Sequence, residues 1–288
     1  MIDRIKQGIK VNKIMNLKEH KKLHHCFIKI WQCNKQIYVL RNFYKNTDAL
    51  FNLIEIETIS SCNRSCSFCP VSVNKKNHRR PFGKMKTRLF NKIVDELEEL
   101  NYEGVVALYR YGEPLLDDRL EKFAHKVRNQ LGDNVNIRLN TNGDFLTYDK
   151  FKSLIDAGIN TFSISQYDFV PSLSLKTFLS KVTEEDKQYF DYEIKMADNP
   201  NFTNRGGLII LKSGLTPITC NMMHFGIRHN GEASVCCNDY YNEIRFGNIQ
   251  NEKIIDIWNS NEYRTFRNEI KRGIFKYEVC KRCIGEMK

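Results

Sequence analysis

Hydrophobic positions along this chain follow two alternating periods. Between about residues 51 and 200, short apolar runs suited to buried strands are separated by longer stretches with apolar residues three and four apart. Residues 53–58, 105–109, 135–139 and 161–165 read as strands, and 87–100, 120–131 and 148–157 as helices. The first helix shows its buried face through Leu89, Phe90, Ile93, Val94 and Leu97, and Gly158 closes the last. Weaker patterns predict a helix over 171–179 and a strand over 191–197. Strand–helix units in series predict an α/β fold, either a parallel sheet or a (β/α) barrel. In both, chemistry sits at the C-terminal ends of the strands.

The flanks differ. Residues 1–50 are basic and aromatic, and HCFIKIW and QIYVLRNFY predict a β-hairpin about a Cys33-Asn34-Lys35 turn. From about 206 the reading is strands at 207–211, 224–228 and 233–236, a His229-Asn230-Gly231 turn, then helices over 254–258 and 262–272. Three regions are expected: a basic extension over 1–50, a core over 51–205, and a small cysteine-rich α+β module over 206–288.

Apolar residues make up 41% and charged residues 27% of the 288, the balance of a folded chain. The formal charge of +11 suits nucleic acid, acidic lipid or an anionic substrate. Much of it comes from the first 22 residues and from KKNHRR at 75–80, so it argues only weakly for nucleic acid. No apolar run reaches the roughly 18 residues of a membrane span. The N-terminal stretch lacks the apolar centre of a secretion signal, so a cytoplasmic location is expected. There, ten cysteines point to metal or redox use rather than to disulfides.

Directly after the first predicted strand comes Cys62-Asn-Arg-Ser-Cys66-Ser-Phe-Cys69-Pro70. Three thiolates can ligate three irons of a cubane cluster and leave the fourth open to substrate. Three cysteines with no neighbouring His or fourth Cys make a poor structural zinc site.

This CxxxCxxC run after a first strand resembles the signature of radical S-adenosylmethionine (SAM) enzymes. Further positions follow the same family in order. Phe68 stands before the last cysteine, where the family packs adenine. Phe82-Gly83-Lys84-Met85 resembles its Gly-x-Met. Gly112-Glu113-Pro114-Leu115-Leu116 resembles its GGEPLL element, which binds the cofactor's amino group; Tyr111 replaces the first glycine. Thr141-Asn142-Gly143 resembles the TNG element, and Ser165 the serine after the fourth strand, near ribose or carboxylate. The family's Asp-Gly there is replaced by Gln166-Tyr167-Asp168. The resemblance implies a partial (β/α)6 TIM-like barrel, SAM bound on an open [4Fe–4S] cluster, and reductive cleavage giving a 5′-deoxyadenosyl radical that abstracts hydrogen from substrate. Its cofactor-binding residues are then Phe68, Gly112, Glu113, Asn142 and Ser165.

A second cysteine set lies downstream: Cys220, then Gly231 followed four residues later by Cys236, then Cys280-Lys-Arg-Cys283. Four thiolates suit structural zinc and a closed [4Fe–4S] cluster equally. The surrounding Asn204-Arg205-Gly206-Gly207, Phe246-Gly247-Asn248-Ile249, Ile257-Trp258-Asn259-Ser260 and Phe266-Arg267 resemble the C-terminal extension of SPASM and twitch radical enzymes. That implies an auxiliary [4Fe–4S] cluster in the shorter, twitch form. Cys237 beside Cys236 is an open choice of ligand. The Gly-x4-Cys spacing favours Cys236, and successive strand side chains point oppositely.

A closed second cluster suits electron transfer. The expected reaction is therefore oxidation of an unactivated C–H position, resembling twitch-type dehydrogenases that convert a sugar or cyclitol alcohol to a ketone. A peptide-modifying maturase and a redox-neutral epimerase, with Cys237 returning hydrogen, are the alternatives. A zinc-stabilised nucleic-acid-binding protein is the alternative from another class. Arg205, Tyr167 and Cys237 are the candidate catalytic residues. Arg110, Tyr111 and Asp168 also fall near the predicted rim. A small-molecule or peptide substrate and a flavodoxin- or ferredoxin-type electron donor are the expected partners.

Overall fold

The computed structural model describes residues 50–199, 202–210, 220 and 223–287. The hairpin expected within residues 1–50 lies outside these.

Strands β1 (Leu53–Ile56), β2 (Val105–Ala107), β3 (Asn136–Thr141), β4 (Thr161–Gln166) and β5 (Phe190–Ile194) pair in parallel as immediate neighbours. Helices α1 (Pro70–Asn77), α2 (Thr87–Glu99), α3 (Leu120–Leu131), α4 (Tyr148–Asp156) and α5 (Leu173–Lys181) lie between them in the chain. The sheet continues past β1 through β6 (His224–Ile227), which is parallel to β1, and β7 (Ala233–Ser234), which is antiparallel to β6. Among the described residues its order is β5-β4-β3-β2-β1-β6-β7. The C-terminal helices are α6 (Ile254–Asn259), α7 (Asn261–Lys271) and α8 (Glu278–Cys283). The described residues form one compact unit, because β6 and β7 extend the same sheet.

Local chemistry explains the elements. Thr147, Ser172 and Ser260 accept hydrogen bonds from the backbone N–H three residues on, capping α4, α5 and α7. Proline opens α1, where a missing N–H costs nothing. The α2 face is buried as its periodicity requires, each large side chain contributing about 1.5–3 kcal/mol. Phe90 of α2 stacks on Phe123 of α3 at 3.9 Å. Phe51, Phe225, Trp258 and Tyr263 form an aromatic cluster that seats α6 and α7 against β1 and β6.

Two expectations change. No strand forms over 207–210. There the Asn204 carbonyl accepts from the N–H groups of Gly207 and Ile209 and closes a tight turn. Only Ala233 and Ser234 of the run 233–236 are strand, so the cysteine pair lies beyond the ladder.

Candidate active site

The C-terminal ends of β1 to β4 carry the loops that the sequence singled out. The cysteine loop leaves β1 and leads into α1. Its C-terminal end is fixed by Cys69 N–H donating to the Cys66 carbonyl (3.1 Å) and by Ser72 Oγ donating to the same carbonyl (2.7 Å). Gly112 presses against it. A side chain at Gly112 would collide with the Ile59 and Ser61 carbonyls, and the Glu113 N–H donates to Ser61 O at 2.9 Å. Glycine is thus what lets the loop after β2 lie on the cysteine loop.

A cavity of about 340 Å³ opens at this rim. It is lined by Cys62, Cys66, Cys69, Phe68, Gly112, Glu113, Asn142 and Ser165, and by all three candidate catalytic residues, Tyr167, Arg205 and Cys237. Asp168 is not among the lining residues. Its carboxylate is turned to Arg64, 2.5 Å away, and is mostly exposed.

Burial pushes the thiols of Cys62, Cys66 and Cys69 up, Cys66 to about 11, and the nearness of Cys69 adds to the rise at Cys66. A cationic metal centre reverses that balance by displacing the protons. Two donors already point at Cys62 Sγ, the Arg64 N–H at 3.4 Å and Asn142 Nδ2 at 3.9 Å. Among the described residues, no three His, Cys, Asp or Glu side chains converge tightly enough for a single ion. A cubane needs no such convergence, since each thiolate ligates a different iron.

Glu113 is buried and accepts from Thr141 Oγ1 (2.7 Å), Asn142 N (2.8 Å) and Leu115 N (3.1 Å). Burial outweighs these donors and pushes its carboxyl up to about 7. A ligand ammonium at its cavity face would restore the charge. Phe68 stacks on Phe202 at 4.2 Å and tilts against Tyr167 at 5.2 Å, so an apolar shelf stands beside the thiols. Burial pushes the Tyr167 hydroxyl up to about 12, which keeps it a proton carrier rather than a base. Three buried polar atoms of lining residues, Asn140 Oδ1, Arg110 Nε and Arg205 Nε, have no protein partner. The site therefore fits a polar ligand with an aromatic ring next to an open metal centre.

A second cavity, of about 260 Å³, gathers Cys220, Cys236, Cys280 and Cys283 within an apolar wall that includes Phe266, Phe275 and Val279. Helix α8 presents Cys280 and Cys283 three residues apart, on neighbouring positions of one face. Burial raises the thiols of Cys220, Cys280 and Cys283, Cys280 to about 12. Asn238 donates from its backbone N to Cys236 Sγ (3.3 Å) and from Nδ2 to Cys283 Sγ (3.2 Å). Cys237 lines both cavities, and its Sγ meets Arg205 Nη1 at 3.8 Å. A hydrogen bond from Cys236, then the Arg205 guanidinium, hold its thiol below the ordinary range.

The replacement of glycine by Tyr111 has a structural meaning. The Tyr111 hydroxyl donates to the Cys236 and Asp239 carbonyls, both at 3.3 Å, and the ring packs edge-on to Tyr240. Arg64, Phe202, Asn238 and Glu55 had no signal of their own in the sequence. Only Arg64, between Cys62 and Cys66, and Asn238, just after a cysteine pair, stood near one.

Comparison with known proteins agrees with this geometry. The radical SAM superfamily model matches residues 56–189, and the SPASM iron–sulfur cluster-binding domain model matches 220–284. The chain belongs to the radical SAM superfamily. It is an oxidoreductase of that group, with SAM, a [4Fe–4S] cluster and a SPASM-type auxiliary iron–sulfur centre as cofactors. It is 30% identical over 245 residues to the S-adenosyl-L-methionine-dependent 2-deoxy-scyllo-inosamine dehydrogenase of Niallia circulans, across 82% of this chain and 94% of the relative. Among solved structures it resembles BtrN in complex with AdoMet and 2-DOIA, at 29% identity and TM-score 0.74, over 81% of this chain and 93% of that one. It also resembles anSMEcpe with bound AdoMet, at 16% identity and TM-score 0.56 over 80% and 86%, a likeness of fold alone. Family membership replaces the zinc-stabilised nucleic-acid-binding alternative. Among the described residues, no helix is long and apolar enough to cross a membrane.

Proposed function

We propose that the protein oxidises a secondary alcohol of a sugar or aminocyclitol to a ketone. The observation that carries this reading is the shared wall of the two cysteine cavities. Glu55, Arg110 and Cys237 line both, so an electron released in the first has a short path to the second.

In this reading Cys62, Cys66 and Cys69 hold the first cluster and leave one iron open. Glu113, with Asn142 and Ser165, holds the polar end of SAM, and Phe68 takes its adenine. Cys220, Cys236, Cys280 and Cys283 hold the auxiliary cluster. When bound, these groups supply a hydrogen-abstracting radical and a one-electron acceptor. Arg205 and Tyr167 orient the alcohol, their charge and hydroxyl replacing the water it loses on binding. The carbinol carbon gives up a hydrogen atom, and the remaining proton and electron leave towards Cys237 and the second cavity. Two electrons and two protons are then accounted for. The polar lining suits a hydroxylated ring, and the cyclitol dehydrogenase relative supports the same substrate class. A flavodoxin- or ferredoxin-type donor and a cytoplasmic setting complete the proposal.

Cys237 favours one second reading. A thiol on the wall of the first cavity can return a hydrogen atom, which would make the protein an epimerase. Anaerobic turnover of 2-deoxy-scyllo-inosamine and related cyclitols with SAM and a reductant separates the two. Ketone formed in step with 5′-deoxyadenosine is the expected result. An inverted carbon carrying solvent deuterium, without oxidation, would select the epimerase.

A further inference from the structure

Arg110 is almost completely buried, and it lies between the two cavities. Strand register explains how a side chain from the end of β2 reaches there. Glu55 on β1 is level with Gly226 on β6, and Gly226 is level with Ser234 on β7. The guanidinium lies along this row. Its Nη1 donates to Glu55, and its Nη2 donates to Ser234 Oγ (2.7 Å) and to the Cys236 carbonyl (2.9 Å). Crossing β6 requires Gly226, since a side chain there would collide with the guanidinium. The fork therefore fixes the backbone of a cysteine whose thiol lines the second cavity.

We infer that Arg110 is a positioning residue for the auxiliary centre, and that its charge, balanced against Glu55, sets the potential at which that centre takes an electron. Reduction adds a negative charge to the cluster. A buried cation on the wall of the cavity that would hold it favours the reduced form, because the surroundings screen the attraction poorly. Glu55, paired with the guanidinium on the same wall, opposes it. Replacing the two in turn moves the potential in opposite directions, a signature that a merely structural role lacks. The inference rests on the auxiliary ligand set proposed above.

The test uses the full chain with Cys62→Ala, Cys66→Ala and Cys69→Ala, which leaves the auxiliary centre alone. Iron is counted, and the centre is titrated under EPR detection. Glu55→Gln is expected to raise the potential and Arg110→Met to lower it, with iron content unchanged. Each shift is expected to reach at least tenfold in the reduced-to-oxidised ratio, about 59 mV for a one-electron couple. Arg110→Lys keeps the charge without the fork and falls between Met and wild type. An unchanged potential in Glu55→Gln overturns the inference, whether or not Arg110→Met keeps its iron. A background variant already devoid of iron would show instead that the ligand set is wrong, and the inference falls with it.

Discussion

Arg64 grips Asp144 with two parallel hydrogen bonds, Nε to Oδ2 at 2.7 Å and Nη2 to Oδ1 at 2.6 Å. Asn63 Nδ2 adds a third to the same carboxylate at 2.6 Å. The residues between Cys62 and Cys66 are thereby tied to the loop that follows β3. Asp144→Ala removes charge-assisted bonds from a half-buried pair and is expected to cost about 2 kcal/mol. It should also speed iron loss from the first cluster to a chelator. Asp168→Ala should do much less, because the Asp168 side chain is 61% exposed. Thermal unfolding and timed chelation check both.

With Glu113 holding the SAM ammonium as proposed, SAM affinity is expected to depend on pH. The Glu113 carboxyl, raised to about 7, is mostly protonated in mildly acidic solution before ligand binds. An ammonium ligand binds the charged form, so affinity should rise as pH increases through 7. Without ligand the sign is opposite for stability. The folded pKa lies above the ordinary 4.5, so this group's contribution is present below 4.5 and lost as pH rises through 7. Glu113→Gln should flatten both profiles and weaken SAM binding about tenfold or more, at unchanged iron content. Equilibrium binding across pH 5.5–8.5 reads this directly.

Glu57 is buried where β1 passes into the cysteine loop, against Arg80 and His229, whose Nδ1 is 3.2 Å away. Burial works to raise its carboxyl, but Arg80 and then His229 prevail and hold it at about 2. A folded pKa below the ordinary 4.5 stabilises above pH 4.5, and the stabilisation is lost as pH falls towards 2. Glu57→Ala strands Arg80 without its partner and is expected to cost about 3–5 kcal/mol. Urea unfolding at pH 7 measures the cost, and Glu57→Gln should shallow the acid limb.

Much of this was legible in the sequence, and the misses share a cause. The helices α2, α3 and α4 and the strands β1 to β4 follow local periodicity, and the cysteine sets and the GEP and TNG elements are short-range patterns. What escaped depends on residues distant in the chain. The placement of β6 beside β1 is decided by packing around Phe51, Phe225 and Trp258. The contact of Asp168, just past β4, with Arg64 on the cavity wall, 104 positions earlier, is of this kind. The apolar run at 207–210 looks like a strand but is folded back by the Asn204 side of its turn. Tyr111 looked like a departure from a motif, and its hydroxyl proves to hold the Cys236 loop.

The two cavities predict a divisible metal content. Anaerobically purified protein should carry about eight irons. Replacing Cys62, Cys66 and Cys69 together should leave about four, and replacing Cys280 and Cys283 should remove most of the other four. Retention of all the iron after either change would show that the ligands are elsewhere.

The most direct test of the account follows one hydrogen atom. A cyclitol alcohol deuterated at the carbinol carbon is incubated anaerobically with the protein, SAM and a reductant. Deuterium is expected in 5′-deoxyadenosine, with one ketone for each SAM consumed. Ketone formation with no deuterium in 5′-deoxyadenosine, or deuterium transfer with no oxidised product, would contradict it.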